Sequence, residues 1–162
     1  MSTRLRPIRP TDFEQVLAWN QEHVELLAPL DEVRLVELLG AADAGSVITH
    51  DAQDVGFVLT FGAAAGIDGV NYRWFSARHP AFLYLDRIVI DASIRRGGVG
   101  SGVYDAIETR AAEVGPVLCL EVNLDPPNEP SLAFHRARGF VEVGQQEANG
   151  HLVSLMEKHV TR

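Results

Sequence analysis

Apolar positions change their period several times along the chain, and each change marks an element. The stretch 5–9 predicts a short strand, stopped by Pro10. Thr11 then opens a helix, with Glu14 three residues on as the partner of a capping box. Phe13, Val16, Leu17 and Asn20 share one face of it at helical spacing. A second helix is predicted over 31–39, where Val33, Val36 and Leu39 recur at helical spacing before Gly40. Strands follow over 46–50 and 55–61, joined by the turn Asp51-Ala52-Gln53-Asp54. The segment 62–80 holds Gly62, Gly66 and Gly69 and then Asn71-Tyr72-Arg73-Trp74-Phe75, and reads as a long irregular loop of functional type.

The run 82–90 is nearly continuous in apolar residues, the pattern of a central strand covered on both faces. After a turn over 91–97, a helix is predicted for 98–114 and ended by Gly115-Pro116. The stretch 117–123 is the next strand, broken by Pro126, Pro127 and Pro130. A short helix over 130–138 stops at Gly139. Strands over 140–146 and 151–158 close the chain around Ala148-Asn149-Gly150. The order β-α-α-β-β-β-α-β-α-β-β predicts one mixed α/β domain over residues 1–162.

Composition narrows the function. The chain is 46% hydrophobic, enough for a real core. Its net charge of -8 argues against general nucleic-acid binding, which needs a basic face. Met1 to Pro10 carries three arginines but no apolar signal core, and no apolar run reaches the ~20 residues of a membrane helix, so a cytoplasmic protein is expected. The single cysteine, Cys119, lies in an apolar run and reads as a buried, inert thiol. None of the six histidines stands at a local metal-ligand spacing, so no metal is expected.

The chemistry concentrates at 95–101. A P-loop needs Lys-Ser or Lys-Thr after its last glycine; counted from Gly97, that glycine is Gly102, followed by Val103 and Tyr104. A dinucleotide fingerprint from Gly98 and Gly100 needs glycine where Val103 stands. What remains is Arg95-x-x-Gly98-x-Gly100 between a strand and a helix. Glycines let backbone approach a ligand closely, and the first N–H groups of a helix attract anions. A pyrophosphate fits there, with Arg95 or Arg96 adding charge-assisted hydrogen bonds.

Two segments together carry a resemblance. Ile88-Val89-Ile90-Asp91 with Arg95-Arg96-Gly97-Gly98-Val99-Gly100 is similar to motif A of the GNAT superfamily of acyl-CoA-dependent N-acyltransferases. Leu120-Glu121-Val122-Asn123, then Asn128, Ser131, Ala133-Phe134-His135 and Gly139-Phe140, resembles its motif B. Within the superfamily, through Asn71-Tyr72-Arg73-Trp74-Phe75 and Phe134-His135, the chain resembles most a bacterial group of largely unassigned predicted acetyltransferases. The resemblance implies a mixed, mostly antiparallel sheet flanked by helices, with a V-shaped splay between the fourth and fifth strands. It implies acetyl-CoA as cosubstrate, its pyrophosphate on Arg95 to Ser101, and its pantetheine arm paired with the backbone of Ile88 to Ile90 like an added strand. Asn128 and Ser131 fall at the pantetheine. Glu121 stands where some members place a general base. His135 stands where many carry a tyrosine that donates a proton to the leaving thiolate; a neutral imidazole still holds one N–H for that purpose.

The implied reaction is direct attack of a primary amine on acetyl-CoA in a ternary complex. Its acceptor is a small molecule or a peptide amine. The alternative is an acyl-CoA-binding regulatory or structural protein with weak or absent transferase activity. A hydrolase is disfavoured because no Gly-x-Ser-x-Gly elbow occurs.

Asp86-Arg87 is anomalous inside an apolar strand, since charges there are costly unless paired. It reads either as a structural ion pair or as an acceptor-recognition pair, with Tyr84 on the face of Asp86. Tyr72 and Trp74 read as closing over the acceptor, as a homodimer interface, or as a cover for the sheet edge. Asn20, Glu22 and Glu25 form either an acidic acceptor wall or a solvated helix face.

Overall fold

Seven strands and five helices form in the computed structural model, which describes residues 2–94 and 98–161. They are β1 (Thr3–Pro7), α1 (Phe13–Glu22), α2 (Glu32–Ala41), β2 (Ala44–His50), β3 (Gln53–Gly62), α3 (Val70–Arg78), β4 (Leu83–Ile90), α4 (Val99–Val114), β5 (Val117–Asp125), α5 (Glu129–Ala137), β6 (Val141–Ala148) and β7 (His151–His159). The strand order is β1-β2-β3-β4-β5-β7-β6. Contacts gather into two units, Met1–Phe61 with Leu85–Arg110, and Gly62–Tyr84 with Ala111–Arg162. Strand β4 begins in the second unit and continues into the first.

In the first unit, β1, β2 and β3 pair antiparallel. The β2–β3 turn places Asp51 and Ala52 at φ of 50° and 67°, the handedness that a two-residue hairpin requires. Strand β3 lies tight against β4: a Cβ on Gly56 would run into the Val89 carbonyl. Val16, Leu35, Ile48, Phe57 and Leu59 are fully buried here.

The start of α1 differs from the sequence expectation. Pro10–Asp12 forms a 3-10 turn, and Asp12, rather than Thr11 with Glu14, satisfies the entry. Its carboxylate accepts the Arg9 N–H at 2.8 Å and two N–H groups of Arg6 at 2.8 and 2.9 Å. A charge-assisted bidentate pair outcompetes a threonine cap. The Arg6 hydrogen bond holds the Asp12 carboxyl down to about 2. A depressed carboxylate stabilises the fold above the ordinary carboxylate range, near ~3.9, and loses that contribution as pH falls through its folded value. Asp12→Asn should therefore lower stability at neutral pH and flatten its decline between about pH 4 and 2. Denaturant melts across that range measure it; an unchanged acid limb would refute it. The second helix starts as expected, with Asp31 accepting the Arg34 N–H at 2.8 Å, but runs through Gly40 to Ala41.

In the second unit, β4 and β5 pair parallel over two residue pairs only, Leu83 with Leu118 and Tyr84 with Cys119. So short a parallel pairing between strands of eight and nine residues is that of a splayed pair. Strand β5 pairs antiparallel with β7, and β7 with β6. Asn149 and Gly150, at φ of 53° and 80°, make the β6–β7 turn.

The segment expected as a long loop holds α3. Its inner face is Asn71, Tyr72 and Phe75. The buried polar member, Asn71, receives Gln146 Nε2 on its Oδ1 at 2.8 Å, so a helix with little apolar periodicity still packs. No described helix is long and apolar enough to cross a membrane.

Candidate active site

Three members of the glycine loop, Arg95, Arg96 and Gly97, lie outside the described residues. The rest of it enters α4. Gly98 has φ of +79°, a conformation glycine adopts freely, and open space where a Cβ would stand. Its carbonyl accepts the Gly102 N–H at 3.0 Å, the first turn of the helix. The N–H groups of Val99, Gly100 and Ser101 therefore precede the intrahelical ladder and face the helix start. Val99 is buried as the anchor, Gly100 half-buried and Ser101 exposed. A Cβ at Gly102 would come within 2.8 Å of Thr3, so that glycine serves packing on β1. Ile88 and Ile90 are half-buried and alternate with buried Val89.

Asp86 and Arg87 form a closed cluster in the first unit. Arg87 is buried at 8% exposure. Its Nε donates to Asp86 Oδ2 at 3.2 Å, and its Nη1 donates to Asn20 Oδ1 at 3.0 Å and to the Ala28 carbonyl at 2.8 Å. Arg87 thus ties the end of α1 to the segment before α2. Burial pushes the Asp86 carboxyl above its ordinary range while the Arg87 charge pulls it back. Asn20 is a buried partner of Arg87, whereas Glu22 and Glu25 are exposed. The carbonyl of Ala28 had no signal in the sequence.

The second unit brings Tyr84 and Glu121 together. The Tyr84 hydroxyl donates to Glu121 Oε1 at 2.6 Å, the length of a charge-assisted bond. The Tyr84 ring is buried, edge-on to Tyr72 with centroids at 5.7 Å and beside Phe75 at 6.2 Å. Glu121 is half-buried on β5. Tyr72 is turned inward: its hydroxyl donates to the Gly62 carbonyl at 2.7 Å and its ring packs on Phe82. Trp74 covers β6, where a Cβ on Gly144 would meet its ring at 2.6 Å, and Arg78 stacks on it at 5.7 Å. Of the three readings of Trp74, its contacts are those of an edge cover.

Asn128 caps α5, its Oδ1 accepting the Ser131 N–H at 3.3 Å. His135 is buried on the same helix, between Phe134 and Phe140. Its Nδ1 lies 2.7 Å from the Ser131 carbonyl and 3.2 Å from the Ser131 hydroxyl. A carbonyl only accepts, so Nδ1 carries the proton. Burial lowers the pKa of the imidazole and favours its neutral form. In that tautomer Nε2 is an acceptor.

The Acetyltransferase (GNAT) family profile matches residues 8–140, most of the chain and both units. The chain belongs to the GNAT acetyltransferase family. It is an N-acetyltransferase, and enzymes of this family use acetyl-CoA as cosubstrate. The fold of this GNAT member is that of several solved acetyltransferases. Ard1 from Thermoplasma volcanium superposes with a TM-score of 0.74 at 21% identity over 100% of both chains. Arabidopsis thaliana Naa50, solved with the bisubstrate analogue CoA-Ac-MVNAL, gives 0.72 at 14% identity over 98% of this chain and 99% of that one. The ribosomal-protein-S18-alanine N-acetyltransferase of Escherichia coli gives 0.71 at 16% identity over 99% and 96%. No curated protein matches the chain.

Proposed function

We propose that residues 1–162 form one N-acetyltransferase domain that transfers acetyl from acetyl-CoA to a primary amine by direct attack. The observation that carries the mechanism is the Glu121 carboxylate, half-buried and oriented by the buried Tyr84 hydroxyl at 2.6 Å. An alkylammonium acceptor with a pKa near ~10 is almost fully protonated at neutral pH. Glu121 takes one proton from it, directly or through a water. The neutral nitrogen then attacks the thioester carbonyl carbon. The C–N bond forms, the C–S bond breaks, and the CoA thiolate leaves. A thiol with a pKa near ~8.5 is a good leaving group and needs little acid help. His135 directs its N–H to Ser131, so its role in this mechanism is to anchor α5 rather than to protonate the thiolate.

The start of α4 takes the CoA pyrophosphate, with Gly98 and the N–H groups of Val99, Gly100 and Ser101 facing it and Arg95 and Arg96 supplying charge. Ile88 to Ile90 offer backbone to the pantetheine amides. Asn128, its oxygen committed to the helix cap, offers its amide NH2 to the same arm beside Ser131. Because Arg87 is held by three protein partners, recognition of the acceptor falls on Asp86. The acceptor itself is a peptide or small-molecule amine, and release of CoA across a panel of both classes identifies it.

Gly98→Asp places a negative charge at the pyrophosphate position. Acetyl-CoA affinity by calorimetry should fall by at least roughly tenfold, the scale of one lost charge-assisted bond. Gly98→Asn accepts the same backbone conformation without the charge and should lose much less. Equal, undiminished affinity in both folded variants would remove the loop from the site.

A further inference from the structure

Three donor atoms of metal-binding type come within 4.8 Å of one another among the described residues, on His79, Cys119 and Glu157. None of them takes part in the chemistry proposed above. Cys119 and Glu157 are direct cross-strand partners on β5 and β7, which puts thiol and carboxylate on one face of the sheet. His79 is the C-cap of α3 and reaches the pair from the helix end, its Nε2 2.8 Å from Glu157 Oε1. His159, two residues beyond Glu157 on the same face of β7, has its Nε2 3.3 Å from Glu157 Oε2. Cys119 and Glu157 are buried, His79 is half-buried and His159 is exposed.

We propose that His79, Cys119, Glu157 and His159 form a structural site for a zinc-like divalent cation. The set contains one sulfur, two imidazole nitrogens and a carboxylate, the donors of four-coordinate zinc. Bonds of ~2.0–2.3 Å put tetrahedral donors about 3.3–3.8 Å apart, so a small contraction closes the trio of His79, Cys119 and Glu157, and the exposed His159, already at Glu157, turns in as the fourth donor. The buried carboxylate supplies a negative charge in a place of low dielectric, and the cation supplies its counter-charge. Without metal that task falls to Arg78, whose Nε lies 3.0 Å from Glu157 Oε1, while His79 Nε2 hydrogen-bonds the same oxygen. Arg78 is the most exposed of the pair it forms and stacks on Trp74, so it can swing away as the cation enters. Binding exchanges charges: the cation takes the carboxylate from Arg78, and the Cys119 thiol gives up its proton to solvent as sulfur becomes a ligand. Without metal the thiol is inert, because burial and Glu157 push its pKa up. The expectation of no metal rested on spacing within short segments, whereas these ligands come from α3, β5 and β7.

Cobalt(II) titration of the purified full chain tests the site. One equivalent should bind with a near-ultraviolet thiolate-to-cobalt charge-transfer band and release of protons. Zinc should displace it and bleach the band. His79→Gln and His159→Gln should each weaken cobalt binding by roughly tenfold or more. Arg78→Gln, which removes the competing cation, should strengthen it. The exposed His159 keeps the test usable even where a buried variant such as Cys119→Ser folds poorly. Cobalt bound without a thiolate band, a band that survives His79→Gln and His159→Gln at unchanged affinity, or weakened binding in Arg78→Gln would each overturn the proposal and leave an ion cluster around Glu157. None of these readouts depends on acetyl transfer, so failure here leaves the enzymatic reading untouched.

Discussion

Glu121→Gln should lower turnover by about 10²- to 10⁴-fold at neutral pH while leaving the KM for acetyl-CoA near the wild-type value. The amide keeps the shape of the carboxylate and its contact with the Tyr84 hydroxyl, but cannot take a proton. The variant then depends on acceptor that is already neutral. For an amine with a pKa near ~10, that fraction is about 10⁻³ at pH 7 and about 10⁻¹ at pH 9. The variant should therefore regain roughly 100-fold between those two pH values, a steeper rise than in the wild type. Tyr84→Phe removes the hydroxyl that orients the carboxylate and keeps the base, so its loss should be smaller, about tenfold, without the steep pH dependence. His135→Ala should lower stability, because it deletes a buried ring and the bond to Ser131, and should spare turnover of the folded fraction. Wild-type turnover in Glu121→Gln, with an unchanged pH profile, would assign proton removal to solvent or to another group. A large turnover loss in fully folded His135→Ala would restore His135 to the reaction.

What the sequence showed and what it hid divide along one line. Features whose partners lie within a few residues were legible. The strand 82–90, the helix after Gly98 and the Asn149-Gly150 turn all follow from local pattern, and the observed elements match them within one or two residues. The glycine loop belongs with them, because its chemistry sits in one short run between a strand and a helix. Features that depend on distant partners were not legible. Helix α3 has an inner face of two aromatics and an asparagine, and that asparagine is satisfied by Gln146, 75 residues away. Arg87 stood out as a charge in an apolar strand, but its partners Asn20 and Ala28 lie 67 and 59 residues off. The pairing of Tyr84 with Glu121 spans 37 residues and appears only when β4 and β5 run parallel in register. A local misreading, the Thr11 cap, arose because Arg6 draws Asp12 to the same helix entry.

The Asp86–Arg87 cluster should give the largest stability effect in the chain. Arg87→Met keeps the length of the apolar stem and deletes the guanidinium, leaving the half-buried Asp86 carboxylate without its cation and Asn20 Oδ1 without its donor, while the Ala28 carbonyl keeps Asn20 Nδ2 at 3.1 Å. Removing one partner of a buried pair costs about 3–5 kcal/mol. Asp86→Asn should cost less, because burial already pushes that carboxyl towards its neutral form and the amide oxygen still accepts from Nε. The double variant should be less destabilised than the sum of the two single changes, since no stranded carboxylate remains. The pH dependence follows from the raised Asp86 pKa. A carboxyl whose folded pKa exceeds its unfolded value is bound more tightly by protons in the folded state, so its contribution is favourable at low pH and is lost as pH rises through the folded value. Without Arg87 to oppose burial, that pKa climbs further. Arg87→Met should therefore recover stability relative to the wild type as pH falls from neutrality towards the ordinary carboxylate range near ~3.9. The double variant, lacking the titrating group, should show no such recovery. Small additive effects with no pH dependence would mean that both side chains reach water, and the assignment of acceptor recognition to a constrained Asp86 would fall with them.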